Sequence, residues 1–203
     1  SEIVFEAKRY GYTVILLDTL EDEGNESECI NTLLTRSIDG IILVPCGERP
    51  ESLEKIDEQT PIVLIDRYFE DTSLSYICTD NYRGALDGVK LLIENGHKEI
   101  LCIRGVPHSM PSKERVKGYI DALRESGFDT RSRIAGNDYS ITNGYLETKL
   151  AIGSPDRPTA IFALSNTIML GAIRAIGESS LRIPDDVSIL SFDNNLFLDF
   201  LHP

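Results

Sequence analysis

Apolar residues along this chain gather in short unbroken runs: "TVILLD" at 13–18, "GIILVP" at 40–45, "PIVLID" at 61–66, "YICT" at 76–79, "EILCI" at 99–103, "TAIFAL" at 159–164 and "VSILSF" at 187–192. Continuous runs of this length, without polar alternation, fit strands covered on both faces, as in parallel sheets. Between them apolar residues recur at helical spacing: Ala85, Leu86, Val89, Leu92 and Ile93; Val116, Tyr119, Ile120 and Leu123; Met169, Ala172, Ile173 and Ile176. Gly96 and Gly127 stand where two of these helices should stop. Strand and helix in alternation predict an α/β architecture, parallel sheets flanked by helices and joined by right-handed crossovers. The chain opens inside a helical pattern, Ile3 to Tyr10, closed by Gly11. A strand normally precedes such a helix and is central to a doubly wound sheet, so the chain is expected to be a fragment.

In open parallel sheets a ligand crevice lies beyond the carboxyl ends of the strands, where helix N-termini also present unpaired N–H groups. The residues after each run are therefore the candidates. Arg67 and Tyr68 follow "PIVLID", Asp80 and Asn81 follow "YICT" and read as helix caps, and Ser112 and Arg115 close "VPHSMPSKER". Ser165 and Asn166 follow "TAIFAL", and Asp193, Asn194 and Asn195 follow "VSILSF". Ser112 and Ser165 are also ordinary N-cap residues. Arg115, read as lying in a first helical turn, opposes the helix dipole and should have an offsetting partner: a ligand or a nearby Asp. Asp193 either caps a short segment from Leu196 to Leu201 or faces the crevice. Tyr139 is a packed loop aromatic or a stacking surface. The acidic stretch "EDEGNESE" at 21–28 reads as a solvated helix start.

Composition narrows the classes. A formal net charge of −13 over 203 residues makes the chain a poor partner for a phosphate backbone. Its length fits one large domain or two lobes of roughly 100 residues. Cys29, Cys46, Cys78 and Cys102 form no CxxC pair, and three lie in apolar runs, so buried thiols in a reducing cytoplasm are expected, with no metal. His97 and His108 have no companions at metal-ligand spacing. No run approaches the ~18 apolar residues of a membrane span, and the first residues are not a signal peptide. Glycine-rich phosphate loops, a dinucleotide fingerprint and a GxSxG elbow are all missing. Gly84 and Gly88 sit inside a helical pattern, so they make no such loop. An enzyme is not expected, and no cofactor is.

The ordered set "GYTVILLDT", "SIDGIILVP", "PIVLIDR", "TDNYRGALDGVKLLIENGHKEI", "SKERVKGYIDAL", "RPTAIFALSN" and "IPDDVSILSFDN" resembles the effector-binding core of the LacI/GalR family of bacterial transcription regulators, along nearly the whole chain. That resemblance implies two similar α/β lobes of the periplasmic-binding-protein type with a small-molecule cleft between them. Lobe one would cover Ser1 to about Arg104 and lobe two 105 to 203, incomplete at both ends, with the DNA-binding headpiece absent. It further implies a cytoplasmic homodimer that reaches DNA only through that headpiece and senses a sugar, sugar phosphate or nucleoside. Matched residue by residue, Arg115 resembles the arginine that clamps the effector and Ser112 the small polar residue before it. Asp193 resembles the effector-binding aspartate of the family's "FDD", Ser165 the Asn of "AND", and Tyr139 a stacking aromatic. Asn166 and Asn194 depart from the family's acidic residues. A solute-binding protein feeding a sugar transporter, which shares the fold, is the alternative.

Overall fold

A computed structural model describes residues 2–46, 51–128 and 133–194. Seven helices and seven strands are described: α1 (Glu2–Arg9), α2 (Glu23–Leu34), β1 (Ile41–Leu43), α3 (Glu51–Asp57), β2 (Ile62–Ile65), β3 (Ser75–Ile77), α4 (Asn81–Glu94), β4 (Ile100–Ile103), α5 (Met110–Glu125), β5 (Arg133–Ala135), α6 (Ile141–Ile152), β6 (Ala160–Ala163), α7 (Asn166–Gly177) and β7 (Ser188–Ser191). Every strand pairing is parallel. The chain divides into two compact units, residues 1–77 and 78–203.

The first unit holds a three-stranded sheet in the order β1-β2-β3. Its core gathers Ile41 and Leu43 of β1, Ile62 and Leu64 of β2, Ile30 of α2 and Leu53 of α3. The acidic stretch does open a helix: Asp22 caps α2, accepting from the Asn25 N–H at 2.8 Å, and Glu23 and Glu26 lie in its first turn. It is not wholly solvated, because Glu26 is buried and accepts from the Cys46 N–H at 2.7 Å. The run at 13–18 forms no strand in the structure. Its apolar side chains stand out of the core, Leu16 being 89% exposed. A strand exists only where a neighbour completes its ladder, and this run pairs with none of the described strands.

The second unit holds a four-stranded sheet in the order β5-β4-β6-β7. Its two central strands are buried at every position. Ile100 and Cys102 of β4 and Ala160 and Phe162 of β6 enter one core cluster with α4 and α5. Leu101, Ile103, Ile161 and Ala163 point the other way, into a cluster with α7. This two-sided burial is why both strands read as unbroken apolar runs. The lobe boundary expected after Arg104 therefore differs from the observed division after Ile77: α4 packs on α5, and β4 lies at the centre of the second sheet. Gly96 and Gly127 take φ of +93° and +75° just past α4 and α5, the left-handed stop that a residue with a Cβ adopts poorly. Of the cysteines only Cys102 is fully buried; Cys29, Cys46 and Cys78 are partly exposed, and no disulfide joins any of the four.

Candidate binding site at the carboxyl edge of the second sheet

Strands β4, β6 and β7 run parallel and end together, so the residues after Ile103, Ala163 and Ser191 share one edge of the sheet. α5 and α7 follow β4 and β6 and start there, and α4, which follows β3, brings Asn81 to the same edge. α7 is capped by Ser165, whose hydroxyl accepts from the Ile168 N–H at 3.2 Å. α4 is capped by Asp80, which accepts from the Arg83 N–H at 2.9 Å. α5 begins after Ser109 with Pro111 in its first turn, where a missing N–H costs nothing.

Arg115 lies in the second turn of α5, not the first as the sequence suggested. Helical side chains lean toward the N-terminus, so its guanidinium comes back to the sheet edge. Its Nε donates to Asn81 Oδ1 at 2.8 Å and its Nη1 to the Leu164 carbonyl at 2.6 Å. Its Cζ lies 3.7 Å from the centre of the Phe192 ring. Arg115 is only 6% exposed, and a buried cation is tolerable only when hydrogen bonds replace its water. Asp193 Oδ2 stands 3.9 Å from Nη1, beyond hydrogen-bond length, with its side chain 53% exposed. Asp193 itself adopts φ +71°, so the backbone turns sharply as it leaves β7.

Tyr139 belongs to the loop before α6. Its ring lies against Gly105, just past the end of β4, where a Cβ would meet the ring at 2.1 Å. Its hydroxyl is 3.2 Å from Ser109 Oγ. The Ser165 hydroxyl lies 2.9 Å from Thr167 Oγ1, and Thr167 donates to the Tyr139 carbonyl at 2.5 Å, which ties the Tyr139 loop to the start of α7. Asn166 accepts from the Ser191 hydroxyl at 3.2 Å, joining α7 to the end of β7.

Four of the five residues singled out in the sequence thus gather at this edge: Arg115 and Asp193 as a loose ion pair, Tyr139 and Ser165 joined through Thr167. Ser112 stands apart. It is not a cap, since Ser109 precedes α5; it is fully buried, and its hydroxyl has no hydrogen-bond partner among the described residues. It borders a groove of about 450 Å³ together with Arg104, Lys113, Lys117 and Arg124, a lining that includes none of the other four. The segment that Asp193 was expected to cap lies outside the described residues. Two contributors were not foreseen, Asn81 and Phe192; Asn81 had been read only as a cap, a task that Asp80 performs.

The edge offers a guanidinium, an exposed carboxylate, neutral hydroxyl and amide groups and an aromatic face. Such a set grips hydroxyls or an anionic group by hydrogen bonds and packs against a ring. Among the described residues no cluster of three or more His, Cys, Asp or Glu side chains is arranged to hold a metal ion.

Residues 2–197 match the family model described as periplasmic binding proteins and sugar binding domain of LacI family. Over 202 residues the chain is 33% identical to the HTH-type transcriptional repressor CytR of Escherichia coli K12, covering 97% of this chain and 58% of that protein. It is 30% identical over 200 residues to catabolite control protein A of Priestia megaterium, with 97% and 60% covered. The chain thus spans about three fifths of the length of these relatives. Among solved structures, a regulatory protein of LacI family from Chloroflexus aggregans superposes with a TM-score of 0.86 at 25% identity, covering 98% of this chain and 72% of that one. A sugar-binding transcriptional regulator of the LacI family from Escherichia coli, in complex with phosphate, superposes at 0.86 and 24% identity, covering 98% and 73%, a likeness of fold. With a parallel α/β fold, a strand-edge site and a family match along almost its whole length, this chain belongs to the family of periplasmic binding proteins and LacI sugar-binding domains.

Proposed function

We propose that this chain is the ligand-sensing core of a LacI-type transcriptional regulator, and that a small polar effector binds at the carboxyl edge of its second sheet. The observation that carries the reading is the buried Arg115 guanidinium with the exposed Asp193 carboxylate 3.9 Å away. An opposed cation and carboxylate of this kind suit a sugar, a sugar phosphate or a nucleoside, whose hydroxyls accept from one and donate to the other. Arg115 is the principal ligand contact, Asp193 accepts a hydroxyl, Tyr139 packs on the ring, and Ser165 holds the start of α7 in place. Ser112, fully buried within α5 beside a separate groove, is not assigned a contact with the effector.

The effector acts as a switch by binding two states of the protein with different affinity. The protein works as a homodimer in the cytoplasm, and DNA is contacted by a helix-turn-helix segment outside this acidic chain. The repressor names of the relatives favour this reading over a solute-binding protein serving a transporter. The test uses the full-length protein on a labelled DNA fragment from its own upstream region, titrated with ribose, fructose 1-phosphate, cytidine and adenosine. A shift in DNA affinity with at least one compound is expected. DNA affinity that is unchanged by compounds shown to bind the protein would overturn the regulatory role.

A further inference from the structure

We propose that Phe192 and Asn81 are positioning residues: they set the Arg115 guanidinium in its binding orientation before any ligand arrives. This rests on the reading that Arg115 contacts the effector. A free arginine side chain has large rotamer entropy, which a ligand must overcome if the arm is loose. Here the arm is gripped on three sides. The Phe192 ring covers one face of the guanidinium at 3.7 Å, Asn81 Oδ1 takes the Nε proton at 2.8 Å, and the Leu164 carbonyl takes an Nη1 proton at 2.6 Å.

Each grip is itself anchored. Asn81 is 1% exposed and its amide donates to the Thr79 carbonyl at 3.1 Å, which fixes Oδ1 toward the arginine. Phe192 is 9% exposed, and its ring lies over Gly84 of α4, where a Cβ would come within 3.0 Å of the ring. The glycine inside the α4 pattern therefore makes room for the ring that carries Arg115. A cation against an aromatic face in a water-poor site is held more firmly than the same pair in water. Phe192 immediately precedes Asp193, so the residue that positions the cation also fixes where the carboxylate leaves the strand. The planes of the ring and guanidinium and the Nε bond leave little rotational freedom, and the site recognises its ligand with a preset fork.

The experiment uses the full-length protein and two readouts. The first needs no ligand: the Nε–H resonance of Arg115, its ring-current shift and its exchange with water. The second is calorimetric affinity for ribose, fructose 1-phosphate and cytidine. Phe192→Leu and Phe192→Met should remove the ring-current shift and speed exchange, Asn81→Ala should speed exchange, and Phe192→Tyr, which keeps the ring, should preserve both. Affinity for any probe that binds wild type should fall about tenfold in the Leu, Met and Ala variants and recover in the Tyr variant. A role confined to stability would lower the melting temperature and leave the resonance unchanged. An Arg115 signal with unaltered shift and exchange in both ring-less variants would overturn the proposal. Undiminished probe affinity in Arg115→Ala would instead overturn the reading of the site, whatever the resonance shows.

Discussion

Gly171 of α7 faces Gly144 of α6 so closely that a Cβ on Gly171 would stand 2.9 Å from the Gly144 carbonyl carbon and 2.1 Å from the Ile141 carbonyl oxygen. A Cβ on Gly144 would come within 2.0 Å of the Ile168 carbonyl oxygen. The two helices cross backbone to backbone, with no space for a side chain at either glycine. Gly144→Ala and Gly171→Ala should each destabilise the protein by about 1–3 kcal/mol through overpacking, despite a helix-propensity gain of about 1 kcal/mol. Gly177→Ala meets nothing within 4 Å and is the matched control, with unchanged or slightly raised stability. Thermal unfolding of the three variants checks this.

Tyr119 is fully buried on α5, and its hydroxyl donates to the Ile100 carbonyl at 2.8 Å while accepting from the Arg133 N–H at 3.0 Å. One phenol thus links α5, β4 and β5. Tyr119→Phe keeps the packing but strands a buried carbonyl and a part-buried N–H, and should cost about 1–3 kcal/mol. Denaturant unfolding with an unchanged slope and a lower midpoint is the expected result.

Cys102 sits at the centre of β4, and burial pushes its thiol well above the ordinary range, against a smaller opposing pull from Arg104. An unfolded thiol titrates near about 8.5. Above that pH the unfolded chain releases a proton that the folded chain keeps, so folding stability is full below it and falls as pH rises. One such thiol gives a limiting slope of about 1.4 kcal/mol per pH unit. Burial also raises the Tyr119 phenol, adding a similar loss from about pH 10 upward. Between pH 8.5 and 10 the Cys102→Ala variant should lose stability less steeply than wild type, as measured by denaturant titration across the range.

Gly105 leaves the surface on which the Tyr139 ring rests, and an added Cβ would overlap the ring at 2.1 Å. The ring sits on a side chain that can swing away, so Gly105→Ala should fold while displacing Tyr139. Affinity for ribose or cytidine should then fall about threefold to tenfold, the scale of one lost ring contact. Tyr139→Ala should fall by a similar amount, and the double variant little further, if both act through the same ring.

The central strands of the second sheet were legible because both faces are buried, which writes a continuous apolar run into β4 and β6. α6 was not, because it meets α7 through Gly144 and packs the small residue Thr148 inward instead of an apolar stripe. The run at 13–18 has every local mark of a strand, but a ladder needs a neighbour, and local pattern does not record one. At the site, Arg115 and Asp193 could be found from strand-end placement together with motif spacing. Asn81 and Phe192 could not, because their task comes from contacts between α4, α5 and the end of β7, far apart in sequence. Ser112 reads as a polar group at a helix start, and its full burial and its separate groove, which the sequence does not record, set it apart from the other four.

The most direct test of this account is calorimetry of the wild-type protein and Arg115→Ala against ribose, fructose 1-phosphate, cytidine and adenosine. The account predicts that at least one compound binds wild type and that the variant binds it about tenfold to a hundredfold more weakly, the loss of charge-assisted hydrogen bonds to one guanidinium. Equal affinity in a folded Arg115→Ala protein would contradict it.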